Sequence, residues 1–133
     1  RALLQDEEIA VYGDGEQTRD FTFVSDAVAA NLACMEADVS GQVFNIGGGA
    51  KNTLTIWTET GPLLEKLLGR PLPIRRSDWR PGDQRICVMD IRKAQSLLGW
   101  SPQTSAVDGV AKLYQWVVDN RHLFEASHGE AAH

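Results

Sequence analysis

The sequence predicts an α/β chain of mixed α+β character, and three observations carry that prediction. Short, apolar, strand-like stretches are interleaved with segments whose apolar residues recur at helical spacing. Glycine, proline and helix-capping residues fall at the junctions between them. The 133 residues are 43% hydrophobic, enough for one body with a modest core.

In order, the opening RALLQDEE is charged and helix-like. IAVYGDG then reads as a short strand ending in a glycine-bracketed turn. RDFTFV alternates before SDAVAANLACMEAD, a helix with Ser25 as the expected cap and Val28, Leu32 and Met35 on one face. QVFNIGGG is expected to be an apolar strand that stops in three glycines. Thr53 to Thr60 reads as a separate turn, and a helix is placed from about Pro62 to a stop at Gly69, with Pro62 in its first turn.

PLPIRR and RICVMD are candidate strands on either side of DWRPGDQ. Asp90 is expected to cap a helix with Ile91, Ala94 and Leu98 on one face and Gly99 at its end. Ser105, with Asp108 three positions later, should open a final helix that turns Val110, Leu113, Tyr114 and Val117 inward. The expected division is one body over residues 1–125 and a polar tail over 126–133.

Thirteen Lys and Arg against eighteen Asp and Glu give a net charge of −5, which argues against nucleic acid or an anionic membrane as a partner. A bound anion would have to be met by a local arginine cluster. Cys34 and Cys87 lie in apolar runs without metal-ligand spacing and are expected to be small buried thiols. No apolar stretch approaches the roughly 20 residues of a membrane helix, and no signal-peptide pattern is present, so a reducing cytoplasm is the expected compartment.

No catalytic set emerges from the residues. Gly47, Gly48 and Gly49 follow a strand-like run, but a GxGxxG begun at Gly47 requires glycine where Asn52 stands. Neither Tyr12 nor Tyr114 is followed four places later by lysine, because Glu16 and Val118 stand there. His122, His128 and His133 crowd the C-terminal end, where a solvated surface suits them better than a metal site. The arginines remain. Arg19, Arg80 and Arg85 carry planar, permanently charged forks suited to a diphosphate, and Asp83 could accept bonds from vicinal sugar hydroxyls. An Arg19–Asp20 or Arg80–Asp83 ion pair holding loops together is the competing reading.

Five ordered stretches, VYGDGEQTRDFTFVSDAV, QVFNIGGG, WRPGDQR, VMDIRKAQSLLGWSP and DGVAKLYQWV, resemble the C-terminal part of the NAD-dependent epimerase/dehydratase family, the extended short-chain dehydrogenases that act on nucleotide-diphospho sugars. Within it, NIGGGAKNTLT, SDWRPGDQRICVMDI and SPQTSAVDGVAKLYQW are most similar to members that invert C2 of a CDP-sugar. Gly61 and Pro62 depart from the pattern, falling where relatives run an unbroken helix.

The resemblance implies a nucleotide-diphospho sugar as ligand. Arg19 would contact its nucleotide or diphosphate side, Arg80 the diphosphate and Asp83 the ribose. It also implies that the NAD loop and the catalytic Ser/Thr, Tyr and Lys belong to a Rossmann half upstream of Arg1. No catalytic residue is therefore assigned here, NAD is expected only in the full-length parent, and the isolated chain should be inactive and should self-associate. A 4-epimerase or 4,6-dehydratase parent, or a stand-alone binding module, are the alternatives.

Overall fold

A computed structural model describes residues 7–125. Its elements are β1 (Ile9–Tyr12), β2 (Thr18–Asp20), α1 (Val24–Glu36), β3 (Thr53–Thr55), α2 (Thr60–Leu68), β4 (Ile74–Ser77), β5 (Ile86–Cys87), α3 (Arg92–Leu98), α4 (Ala106–Asp119) and α5 (His122–Glu125). The expected α/β order is present. The expected tail at 126–133 and most of the opening RALLQDEE lie outside the described residues.

The strands form two small sheets among the described residues. In one, β1 runs parallel to β4, with Ile9 opposite Ile74 and Tyr12 opposite Ser77. In the other, β2 is central: it pairs antiparallel with β3, Arg19 facing Leu54, and parallel with β5, Arg19 facing Cys87. β5 is thus an edge strand of only two residues, and Ile86 is 72% exposed. RICVMD, read as a candidate strand, forms a ladder only at Ile86 and Cys87, and no strand among the described residues pairs with its outer edge. Cys34 and Cys87 are half-buried rather than buried.

The core lies where α1 crosses α3. Ala30, Ile91, Ala94 and Trp100 form it, with Phe44, Ile46 and Leu98 packed around them. The face expected for α3 is therefore the one it buries, but the residue at its N-cap is Ile91 rather than the expected Asp90, which stands one position earlier and accepts the Arg92 N–H at 3.1 Å. Trp100 Nε1 donates to the Asp26 carbonyl at 3.0 Å, and the buried Asp26 carboxylate accepts the Thr104 N–H at 2.9 Å, so the indole N–H and the carboxylate brought inside each have a partner.

Several expectations need correction. α1 starts at Val24 after Phe23, so Ser25 sits in its first turn and does not cap it. Its Val28, Leu32 and Met35 do share a face, but that face is open, at 53%, 53% and 82% exposure, while Asp26 and Ala30 point inward. Residues 42–46 alternate as a strand should, Val43 and Asn45 outward and Phe44 and Ile46 inward, yet no strand among the described residues pairs with them. In α4, Ser105 is the cap as expected, its Oγ accepting the Asp108 N–H at 3.0 Å, whereas Leu113 is 57% exposed instead of inward.

Gly61 has a local reason. A Cβ there would stand 2.8 Å from Trp57 Cε2, so the indole needs a bare backbone at that position. The helix simply begins one turn around it, at Thr60, with Pro62 in the first turn as expected. Among the described residues, no helix is long and apolar enough to cross a membrane.

Candidate functional site

Three residues singled out from the sequence meet at one point. Arg19 Nη2 lies 3.1 Å from Asp83 Oδ1, and Arg80 Nη2 lies 3.7 Å from Asp83 Oδ2. β2 delivers Arg19 from the sheet, while the Pro81–Gly82 turn delivers the other two: the Asp83 N–H closes it on the Arg80 carbonyl at 3.1 Å. Asp83 is the enclosed member, its side chain 13% exposed, against 62% for Arg80. The expected Arg80–Asp83 contact therefore forms. An Arg19–Asp20 pair does not, because Asp20 turns away to accept the Gly49 and Met89 N–H groups at 3.0 and 3.2 Å.

Sequence reasoning missed three contributors. Gln17, almost fully buried, donates through Nε2 to the Tyr12 carbonyl at 2.9 Å and to Asp83 Oδ2 at 3.3 Å, leaving its Oε1 buried without a partner. The Tyr12 ring carries the Arg80 guanidinium 4.5 Å from its centroid, and the Trp79 ring carries that of Arg85 at 4.9 Å. The arginine-aromatic alternation in Trp79 and Arg80 was the available signal for stacking.

The glycine loop serves a different purpose. Gly47, Gly48 and Gly49 are buried, and a side chain at Gly48 would run into the Phe21 carbonyl while one at Gly47 would meet the Asp20 carboxylate. They let the chain pack on the end of β2.

A cleft of about 830 Å³ opens away from the arginines, between residues 48–52, 88–92 and 101–105. Its central amide, Asn52, is already committed to the Phe21 and Thr104 carbonyls and the Ala106 N–H. At its lip the Asp90 carboxyl is held down to about 2, first by the side-chain hydrogen bonds from Arg92 and then by the Arg92 N–H. Among the described residues, no cluster of His, Cys, Asp or Glu could hold a metal ion. His122 lies exposed in α5, and His128 and His133 fall outside the described residues.

The family described as GDP-mannose 4,6 dehydratase matches residues 1–113. The chain belongs to the NAD-dependent epimerase/dehydratase family. Among its relatives, this family member is 29% identical over 124 residues to the UDP-glucuronate 4-epimerase of Thermodesulfobacterium geofontis, covering 93% of this chain and 38% of that protein. It is 34% identical over 108 residues to the CDP-paratose 2-epimerase of Salmonella typhi, covering 80% and 32%. The fold matches that of the UDP-glucuronic acid 4-epimerase from Bacillus cereus, solved with UDP-glucuronic acid and NAD, with a TM-score of 0.80 and 33% identity over 89% of this chain and 37% of that one. This epimerase/dehydratase chain thus spans between 32% and 38% of the length of these relatives.

Proposed function

We propose that these residues form the nucleotide-diphospho-sugar-binding part of an NAD-dependent sugar epimerase, and that the parent enzyme inverts C2 of a CDP-sugar. The convergence of Arg19 and Arg80 on one enclosed carboxylate, Asp83, carries the reading. Asp83 holds Arg19 in place, and Arg80 keeps a largely open fork, which suits two phosphate oxygens. A carboxylate has four lone-pair sites, so Asp83 retains room for ribose hydroxyls after accepting from Arg19 and Gln17. Stacking on Tyr12 restrains Arg80 before a ligand arrives, which lowers the ordering cost of binding.

The parent's hydride chemistry is assigned to a Rossmann half outside these 133 residues, and a cytoplasmic setting completes the proposal. The likeness to CDP-paratose 2-epimerase supports the CDP-sugar reading. A 4-epimerase or 4,6-dehydratase parent is the second reading, favoured by the UDP-glucuronate 4-epimerase likeness and the matching family. The clamp would read the nucleotide in either case and leave the reacting carbon to the other half.

Calorimetric titration of the chain with CDP-, UDP- and dTDP-sugars tests the binding reading. Saturable binding that weakens in Arg80→Ala is expected. Failure of all three to bind would overturn it, and product stereochemistry by NMR with the full-length parent separates C2 from C4 inversion.

A further inference from the structure

We propose that Arg85 is a second anion-binding arginine of this site, held by Trp79 for the second phosphate of a nucleoside diphosphate, and that it sets a preference for diphosphates over monophosphates. The inference rests on the nucleotide-binding reading above and assigns a role to a residue which that reading leaves idle.

Its place in the sheet comes first. The Thr18 N–H donates to the Arg85 carbonyl at 2.8 Å, and the parallel register sets Ile86 opposite Thr18 and Cys87 opposite Arg19. Directly opposed residues of neighbouring strands point to the same face, and alternate residues share that face. Cys87 therefore stands on the side of Arg19, and Arg85, in the bend that leads into β5, is held against the start of β2 through its carbonyl, next to the residues that reach Asp83.

The aromatic supports come second. Trp79 packs so closely on Gly13 that a Cβ there would lie 2.5 Å from its Cε2, and Gly13 also adopts φ +65°, so only glycine suits this position. Tyr12, the preceding residue, carries Arg80. Two guanidiniums are thus held on rings that meet consecutive residues of one turn. A guanidinium lying over a ring keeps its in-plane N–H edge available for an acceptor.

Charge comes third. Arg19, Arg75, Arg80 and Arg92 each lie within 4.0 Å of a carboxylate, and Arg76 donates to the Asp14 carbonyl at 2.8 Å. Among the described residues Arg85 has no such partner, although the chain carries more acidic than basic residues. Arg19, Arg80 and Arg85 against Asp83 leave a local excess of two positive charges. A sugar-linked nucleoside diphosphate carries two negative charges, one on each phosphate, whereas a nucleoside monophosphate presents a single phosphate to the two arginines.

The test compares UDP and CDP with UMP and CMP by calorimetry on the 133-residue chain, for the natural sequence and for Arg85→Gln. The natural chain should bind the diphosphates about tenfold or more tightly than the monophosphates, and Arg85→Gln should lose most of that ratio while monophosphate affinity holds within about twofold. Trp79 supplies an independent readout: diphosphate should change an emission component that is missing in Trp79→Phe, and Arg85→Gln should abolish the change. An unaltered ratio in folded Arg85→Gln overturns the role of Arg85 and leaves the binding reading intact. Failure of the natural chain to bind any of the four nucleotides overturns both. Should Arg85→Gln unfold, Arg85→Lys carries the same comparison, since it keeps the charge and loses the planar stack.

Discussion

Arg19 and Asp83, separated by 64 positions in the chain, are joined by a hydrogen-bonded ion pair of 3.1 Å. The pair ties the central strand of the three-stranded sheet to the turn that presents Arg80. Asp83→Ala would take one acceptor each from the Arg19 fork and the Gln17 amide, which keep only the Thr18 and Tyr12 carbonyls, and should cost about 1–2 kcal/mol of stability after allowance for the partial exposure of Arg19. Urea unfolding of Asp83→Ala, Arg19→Ala and the double variant measures it, with a coupling of about 0.5–1 kcal/mol expected between the two sites.

Arg80 should behave in the opposite way. It is mostly open and its carboxylate partner stands at 3.7 Å, beyond good hydrogen-bonding range. Arg80→Ala is expected to weaken nucleotide-sugar binding by about 1.5–3 kcal/mol, with stability held within about 0.5 kcal/mol. A sharp fall in melting temperature with unchanged affinity would make Arg80 a structural tie instead.

Gly48 is held by sterics alone. An added Cβ would enter the Phe21 carbonyl and stand 2.9 Å from Asn52 Cβ, at a buried position. Gly48→Ala should therefore cost about 1–3 kcal/mol by forcing backbone apart, seen as an earlier chemical melt.

The Asp90–Arg92 pair makes a pH prediction. Folding lowers the Asp90 carboxyl from 3.8 to about 2, chiefly through the Arg92 side-chain bonds. Its stabilising effect is present above the unfolded value and is lost as pH falls from there through about 2. Carboxyl NMR titration should find the depressed midpoint in the natural chain and a raised one in Arg92→Gln, still below 3.8 because the N–H of residue 92 remains to donate.

Self-association is expected of the 133-residue chain. Val28, Leu32 and Met35 form an open apolar stripe on α1, and Val43, 81% exposed, lies in a strand-like segment with no ladder among the described residues. Apolar stripes and unpaired edges both favour contact with another chain. Sedimentation at micromolar concentration should find a dimer or larger species, and Leu32→Glu should shift it toward monomer. A single monomeric species with a cooperative melt would show that the chain covers this face by itself.

Helix ends were legible in the sequence because their causes are local. Ser105 and Asp108 meet within one turn, Gly69 and Gly99 take the left-handed conformation at the ends of α2 and α3, and Asp90 reaches the Arg92 N–H two residues on. The inward face of α3 could be read for the same reason, since Ile91 and Ala94 lie one turn apart and that helix has one core to pack against. Arg19, Arg80 and Asp83 were legible as candidates from residue chemistry and family pattern.

What they touch was decided by the tertiary structure alone. Hydrophobic spacing showed that Val28, Leu32 and Met35 share a face of α1, but it is silent on whether anything covers that face, and in this chain Asp26 and Ala30 are buried instead. The alternation in residues 42–46 is that of a strand, yet a strand also needs a neighbour to share its hydrogen bonds, and none is supplied by the described residues. Asp20 and Asp83 are both carboxylates within reach of an arginine in sequence terms. Only the register of β2 against β3 and β5 sends Asp20 to the glycine loop and Arg19 to Asp83. Periodicity and capping depend on neighbours a few residues apart, whereas a pairing across 64 residues depends on where the sheet brings the chain back.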